Sequence, residues 1–158
     1  MPRGAVRDPL IRGDAEWPAA LSRAVEGDAP GRRLWLGDQG AAVALAAGVG
    51  RRTRWLRLGL VIQPHRRSLT VLAKQLTSLD VLLAGRLDVA LDESTGDSEA
   101  EEVIEALRDL SSGRPVSRGG PLIHSDGARC LPPARQQPLP IYRVTGSGAD
   151  WVEVGEPG

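Results

Sequence analysis

The sequence predicts an α/β protein built on a parallel sheet of about four to five βα units. Three observations carry that prediction. Residues 53–91 read as strand, loop, helix and strand, a βαβ unit whose strands must pair parallel because a crossover helix joins them. Short apolar runs alternate with stretches of helical periodicity along the rest of the chain. Leu, Val, Ile and Ala dominate the apolar residues, phenylalanine is absent and four tryptophans are the bulky exceptions, as suits an aliphatic core between a sheet and its helices.

Residues 1–16 mix proline, glycine and charge around Leu10-Ile11 and read as a tail or weak edge strand. Trp17 to Val25 is a helix: Pro18 is tolerated in a first turn, and Leu21, Ala24 and Val25 share a side. Leu34-Trp35-Leu36 is a short strand, Gly37-Asp38-Gln39-Gly40 a turn, and Ala41 to Val49 an alanine-rich helix able to pack close to a sheet. Trp55 to Ile62 is an apolar run that Gln63-Pro64-His65-Arg66-Arg67 stops with proline and charge. Ser68 then caps a helix whose Leu69, Leu72, Ala73, Leu76, Leu79 and Leu83 fall on one face; Gly85 ends it in the left-handed conformation, and Leu87 to Leu91 is the next strand. After the polar loop Asp92-Glu93-Ser94-Thr95-Gly96, Ser98-Glu99-Ala100-Glu101 has the form of a capping box for a helix striped by Val103, Ile104, Leu107 and Leu110. Residues 113–138, rich in Gly, Pro and Arg, read as an irregular excursion, Leu139 to Val144 as the last strand, and 149–158 as a C-terminal tail. Residues 17–148 thus form a single domain.

At 158 residues the chain can bury a real core, and its length favours one domain. Twenty basic residues balance twenty acidic ones, which leaves no electrostatic footprint for nucleic acid or an anionic membrane. Arg32-Arg33, Arg51-Arg52 and Arg66-Arg67 flank predicted strands and read as solvated rims, with Arg66-Arg67 the pair placed to meet an anion. The single cysteine, Cys130, excludes an internal disulfide and fits a reducing cytoplasm. No run approaches the roughly 18 apolar residues of a membrane span, and the amino terminus lacks the apolar core of a signal peptide. His124 and Cys130 lack metal-ligand spacing, so no metal site is expected.

Asp38, Gln63, His65, Asp92, Glu93 and Thr145 all follow the ends of predicted strands and therefore share one rim of the sheet, where α/β proteins place their sites. His65 is chemically the most useful, an imidazole able to donate or accept a proton near neutral pH, with Asp38 or Asp92 to orient it. The competing reading is an ordinary solvated loop histidine. Gln63 and Thr145 stand on the same rim. Asp80 and Arg86 read as an ion pair that fixes the turn between helix and strand, a role in the fold rather than in chemistry.

Several short pieces follow one another in a recognisable order between Trp17 and Gly148. They are Leu34-Trp35-Leu36-Gly37-Asp38, Ala44-Leu45-Ala46-Ala47, Thr53-Arg54, Leu58-Gly59 and Leu72-Ala73-Lys74, then Leu79-Asp80, Gly85-Arg86-Leu87, Gly119-Gly120 and Gln136-Gln137-Pro138-Leu139-Pro140-Ile141-Tyr142. Together they resemble the luciferase-like monooxygenases, the flavin- or deazaflavin-dependent barrel group. The resemblance implies an incomplete (β/α)8 barrel, TIM-barrel-like but lacking the later strands, with its site at the carboxyl ends of the strands. It implies an oxidoreductase that acts on a small organic substrate with reduced flavin or deazaflavin, the cofactor supplying the chemistry, with His65 and Asp38 the candidate catalytic residues and Gln63 and Thr145 the candidate cofactor contacts. Where the family commonly carries a glycine-rich turn, this chain has Asp92-Glu93-Ser94-Thr95, and where many relatives have a histidine it has Gln39. Two carboxylates in that turn repel a phosphate or a reduced flavin anion. The alternative expectation is therefore a chain that binds no cofactor by itself, an accessory or small-molecule-binding subunit. About five parallel strands do not close an eight-stranded barrel, so a homodimer or a partner subunit is expected to cover the open edges.

Overall fold

Two apolar cores, one on each face of a single sheet, organise the chain. The computed structural model describes residues 7–12, 17–37, 41–148 and 151–157. Its elements run β1 (Arg7–Ile11), α1 (Trp17–Glu26), β2 (Arg33–Gly37), α2 (Ala42–Gly50), β3 (Arg57–Ile62), α3 (Leu69–Leu82), β4 (Leu87–Leu91), α4 (Asp97–Ser111), β5 (Val116–Gly119), β6 (His124–Ala128), β7 (Ile141–Ser147) and β8 (Trp151–Val154). β1, β2, β3, β4 and β7 pair parallel in that order. β8 then pairs antiparallel with both β7 and β1, closing the sheet into a six-stranded barrel.

The expected parallel sheet is thus mixed and closed. Both chain ends account for the difference. Residues 7–11, which read as a tail or weak edge strand, are a barrel strand, and residues 151–154, which read as tail, are the antiparallel stave that joins the two sheet edges. Edges exist only until they pair. The expectation of a dimer therefore loses its basis in uncovered strands.

Period-two alternation sorts the strand side chains between the cores. Leu34, Leu36, Leu58, Leu60, Ile62, Leu87, Val89 and Leu91 face outward into the helix layer, with Ala46, Leu72, Leu76, Leu83, Val103 and Leu107. Leu10, Trp35, Val61, Ala90 and Val152 face inward, joined by Tyr142, Val144 and Val154. Trp35 is fully buried and pairs in register with Gly59 on β3, where a Cβ would lie 2.1 Å from the indole ring. Only glycine leaves room for that ring. The indole Nε1 donates to Asp8 Oδ2 at 3.1 Å, and Tyr142 meets the ring edge-to-face at 6.0 Å.

Beneath the indole, at the amino-terminal end of the parallel strands, four charges close the lumen. Arg57 holds the buried Asp88 through Nε at 3.0 Å and Nη2 at 2.6 Å, and Arg33 Nε approaches Asp8 at 3.2 Å. The hydrogen bond to Asp88, with burial opposing it, raises the Arg57 pKa above its ordinary value. Arg33, read as a solvated rim residue, belongs to this layer because β2 begins at Arg33 and turns it inward beside Trp35.

Other local expectations are refined. Ser68 precedes α3 as expected, but its hydroxyl meets that of Thr70 at 2.8 Å instead of capping an amide. Gly85 adopts φ +79° after α3, the left-handed conformation that favours glycine. Asp80 and Arg86 do not pair: Asp80 accepts from the Gln136 backbone N at 2.8 Å and Nε2 at 2.7 Å, whereas Arg86 donates to the carbonyls of Gly50, Leu56 and Leu83. α4 starts one residue before Ser98 with Gly96 as its cap, so the capping box does not form. The 113–138 excursion contains the antiparallel β5–β6 hairpin, tied to α4 by Arg118 contacts with Glu105 and Asp109.

The two α3 leucines, each 1% exposed, and the Trp35–Gly59 contact set measurable expectations. Leu72→Ala and Leu76→Ala should each lower stability by about 2–5 kcal/mol, and Gly59→Val by about 1–3 kcal/mol, in urea melts that leave His65→Ala unchanged. Neutral leucine variants would mean that α3 does not bury this face.

Candidate functional site

Parallel pairing carries the residues that follow β1, β3 and β4 to one end of the barrel. Arg12, Gln63 and Asp92 meet there. Asp92 accepts the Ser94 amide at 2.9 Å, and the Ser94 hydroxyl and Gln63 side chain also hydrogen-bond to its carboxylate. Burial pushes the Asp92 carboxyl up, but these hydrogen bonds and the Arg12 charge outweigh it and hold the pKa below its ordinary value. The mouth therefore presents a fixed anion framed by an amide. Its floor is the Trp35 layer, a packed core rather than a channel.

The candidate residues separate in this geometry. Gln63 is half-buried and belongs to the Asp92 cluster. His65 is exposed in a single 3-10 turn, Pro64–Arg66, at the same end of the barrel. Asp38 lies outside the described residues. Thr145 is not brought to the cluster: β7 continues through a bulge to Ser147, and the exposed Thr145 hydroxyl donates to the Glu153 carbonyl at 3.4 Å. Glu93 is exposed beside Asp92. Of the arginine pair, Arg67 Nη1 bonds Gln75 Oε1 at 3.1 Å, and Arg66 is exposed. Sequence reasoning misses Arg12 because residues 1–16 read as a tail or weak edge strand; the signal that finds it is a charged residue directly after the apolar pair Leu10-Ile11.

No group of three or more His, Cys, Asp or Glu among the described residues has the arrangement of a metal site. Among the same residues no helix is long and apolar enough to cross a membrane. Cys130 is a buried free thiol, and burial raises its pKa despite the nearby Lys74 charge.

No family model matches the chain, and no curated protein matches it significantly. Solved structures do. One is the monooxygenase RslO1 from Streptomyces bottropensis, 23% identical over 82% of this chain and 47% of its own, with a TM-score of 0.71. Another is the coenzyme F420 dependent tetrahydromethanopterin reductase from Methanopyrus kandleri, 16% identical over 89% of this chain and 50% of its own, at 0.71. A third is an F420-dependent secondary alcohol dehydrogenase in complex with an F420-acetone adduct, 17% identical over 85% of this chain and 51% of its own, at 0.70. The likeness is one of fold, and the chain spans about half the length of these proteins.

The residues at the mouth do not fit an anionic cofactor held by this chain alone. Asp92 is held ionised, Glu93 stands next to it, and Glu99 shares the first turn of α4 with an Asp97 that Arg143 neutralises, at the place where a helix N-terminus otherwise favours a phosphate.

Acid unfolding checks the state of Asp92. A carboxylate with a depressed folded pKa contributes stability above its unfolded pKa of about 3.9 and loses that contribution as pH falls through the folded value. On acidification below about pH 4, the wild-type chain should lose more stability than Asp92→Asn, and Gln63→Leu should raise the Asp92 pKa measured by carboxyl NMR. Parallel acid-unfolding curves for wild type and Asp92→Asn would mean that the carboxylate is not held.

Proposed function

We propose that the chain is an oxidoreductase-class protein of the luciferase-like group, at about half the length of the structures it matches, and that its carboxyl-terminal mouth receives a small organic molecule. The observation that carries this reading is the run of five parallel strands delivering Arg12, Gln63, His65 and Asp92 to one end, in a fold shared with a monooxygenase and two F420-dependent enzymes. In the luciferase-like group that end is the working face. Reduced flavin or deazaflavin supplies the redox chemistry where it is bound. This chain's own residues position and protonate: Gln63 offers an amide beside the fixed carboxylate of Asp92, and His65, exposed at the rim, is placed to exchange a proton with a ligand at the mouth.

The acidic turn also favours a second reading, in which the chain keeps the fold and the mouth but binds no cofactor by itself. It then serves as an accessory or small-molecule-binding subunit, and any oxidoreductase activity needs a partner, a second copy or another chain, that supplies positive charge for the cofactor. Among the two, the second describes the isolated chain and the first the assembly it works in.

Anaerobic titration of reduced FMN and of reduced deazaflavin onto the purified chain separates them. The isolated chain should bind either with Kd of about 1 mM or weaker, and Asp92→Asn should tighten binding by removing the repulsion. Tight one-to-one binding by the wild-type chain, lost in Gln63→Ala or His65→Ala, would make it a self-sufficient flavin or deazaflavin enzyme.

A further inference from the structure

We propose that the groove between α1, β1 and the start of β2 is a second binding site, one that takes a small organic anion consisting of a carboxylate on a compact apolar body. The cavity there holds about 450 Å³, within the roughly 300–1,000 Å³ of small-molecule sites. It lies outside the barrel and shares none of its lining with Arg12, Gln63, His65 or Asp92.

The floor is apolar and preformed, lined by Ile11, Ala24, Leu34 and Leu56, all buried in the helix-layer core. Such a floor accepts hydrophobic groups of many kinds, so the rim decides the charge. Arg23 and Arg32 both line the cavity and both are exposed. No ion pair holds either guanidinium among the described residues. The loop between them contains Asp28, which is already taken: its carboxylate accepts the amides of Arg54, Trp55 and Leu56 at 2.7, 2.9 and 2.8 Å. Glu26 does not line the cavity, and Arg33, which does, is balanced by Asp8 at 3.2 Å. Two guanidiniums that no described residue neutralises, above a low-dielectric floor, attract an anion, and their planar forks suit a carboxylate. The volume and the alkyl floor select an apolar body behind it.

Calorimetric titration of the full chain with cyclohexanecarboxylate tests the site, with cyclohexanemethanol and cyclohexylamine as neutral and cationic probes of the same shape. The carboxylate should bind saturably at one site, and both other probes at least about tenfold more weakly. The double variant Arg23→Gln/Arg32→Gln, whose side chains are exposed and which places no negative charge at the end of α1, should weaken carboxylate binding by about tenfold or more. Amide shifts in the wild-type chain should map to Ile11, Ala24 and Leu34, a readout that needs no variant to fold. Equal binding of the three probes, absence of saturation, an unchanged affinity in the double variant, or shifts confined to Gln63 and Asp92 would each overturn the proposal. Because the two sites share no lining residue, failure here leaves the reading of the mouth standing.

Discussion

Barrel diameter grows with strand number, so six strands enclose a narrower lumen than the eight of a (β/α)8 barrel. In this chain the indole of Trp35 takes up that space, and its neighbours are sized to it. Gly59 stands beside the ring with no side chain, Ala90 has a methyl on the neighbouring strand, and Leu10, Val61 and Val152 complete the inner core. The ring also couples strands that are distant in sequence. Its N–H is satisfied by Asp8 on β1, its edge contact comes from Tyr142 on β7, and the guanidinium of Arg33 lies over both rings at 5.3 and 5.2 Å. A buried indole whose single donor is paired can stay in an apolar lumen without the penalty of an orphaned N–H.

Closure by β8 follows from the same geometry. Asp8 pairs in register with Val152, so the strand that anchors the indole from one side is held in place by the antiparallel strand on its other side. The flank formed by β7, β8 and β1 has no helix of its own after β7 among the described residues, and its outward side chains are not those of a buried interface. Arg7 stacks on Trp151 at 4.2 Å and reaches Glu153, while Arg143 pairs with Asp97. Charges and a half-exposed aromatic shield the sheet there. A partner chain, on the proposed function, therefore finds no open barrel edge to which it could add a strand.

How much of this was legible varied with the range of the interactions involved. The β3–α3–β4 unit was read closely, because its determinants are local: an apolar run, a proline stop, a helical stripe and a left-handed glycine. The closing strands were not. β1 contains Pro9 between two charged residues and Leu10, a composition that argues against a strand unless it pairs at both sides. Its partner β8 lies at the other end of the chain, and no local periodicity announces a pairing of that separation. Asp80 and Arg86 hold the fold, as their places at the helix end and strand start suggest, but not as each other's partners, since Asp80 finds Gln136, 56 residues away. Thr145 was placed at a strand end because Gly146 reads as a turn, whereas the strand runs through that glycine in a bulge.

The distribution of charge along the barrel axis bears on what the mouth can do. At the amino-terminal end, Arg33 and Arg57 are matched by Asp8 and Asp88, so that layer is internally neutral and packed. At the carboxyl-terminal end the balance is different: Asp92 is ionised, with an amide, a hydroxyl and the Arg12 charge around it, and Glu93 beside it is open to solvent. A ligand with a hydrogen-bond donor or a positive centre gains from that arrangement, and an anionic one loses unless counter-charge arrives with it. Depressing the pKa of Asp92 strengthens the selection, because it favours the charged form of the carboxylate. The feature that weighs against a flavin at this mouth is thus its acidic turn, Asp92 held ionised with Glu93 beside it, and on the proposed reading the chain gives up independent cofactor binding while keeping the site for a small organic substrate.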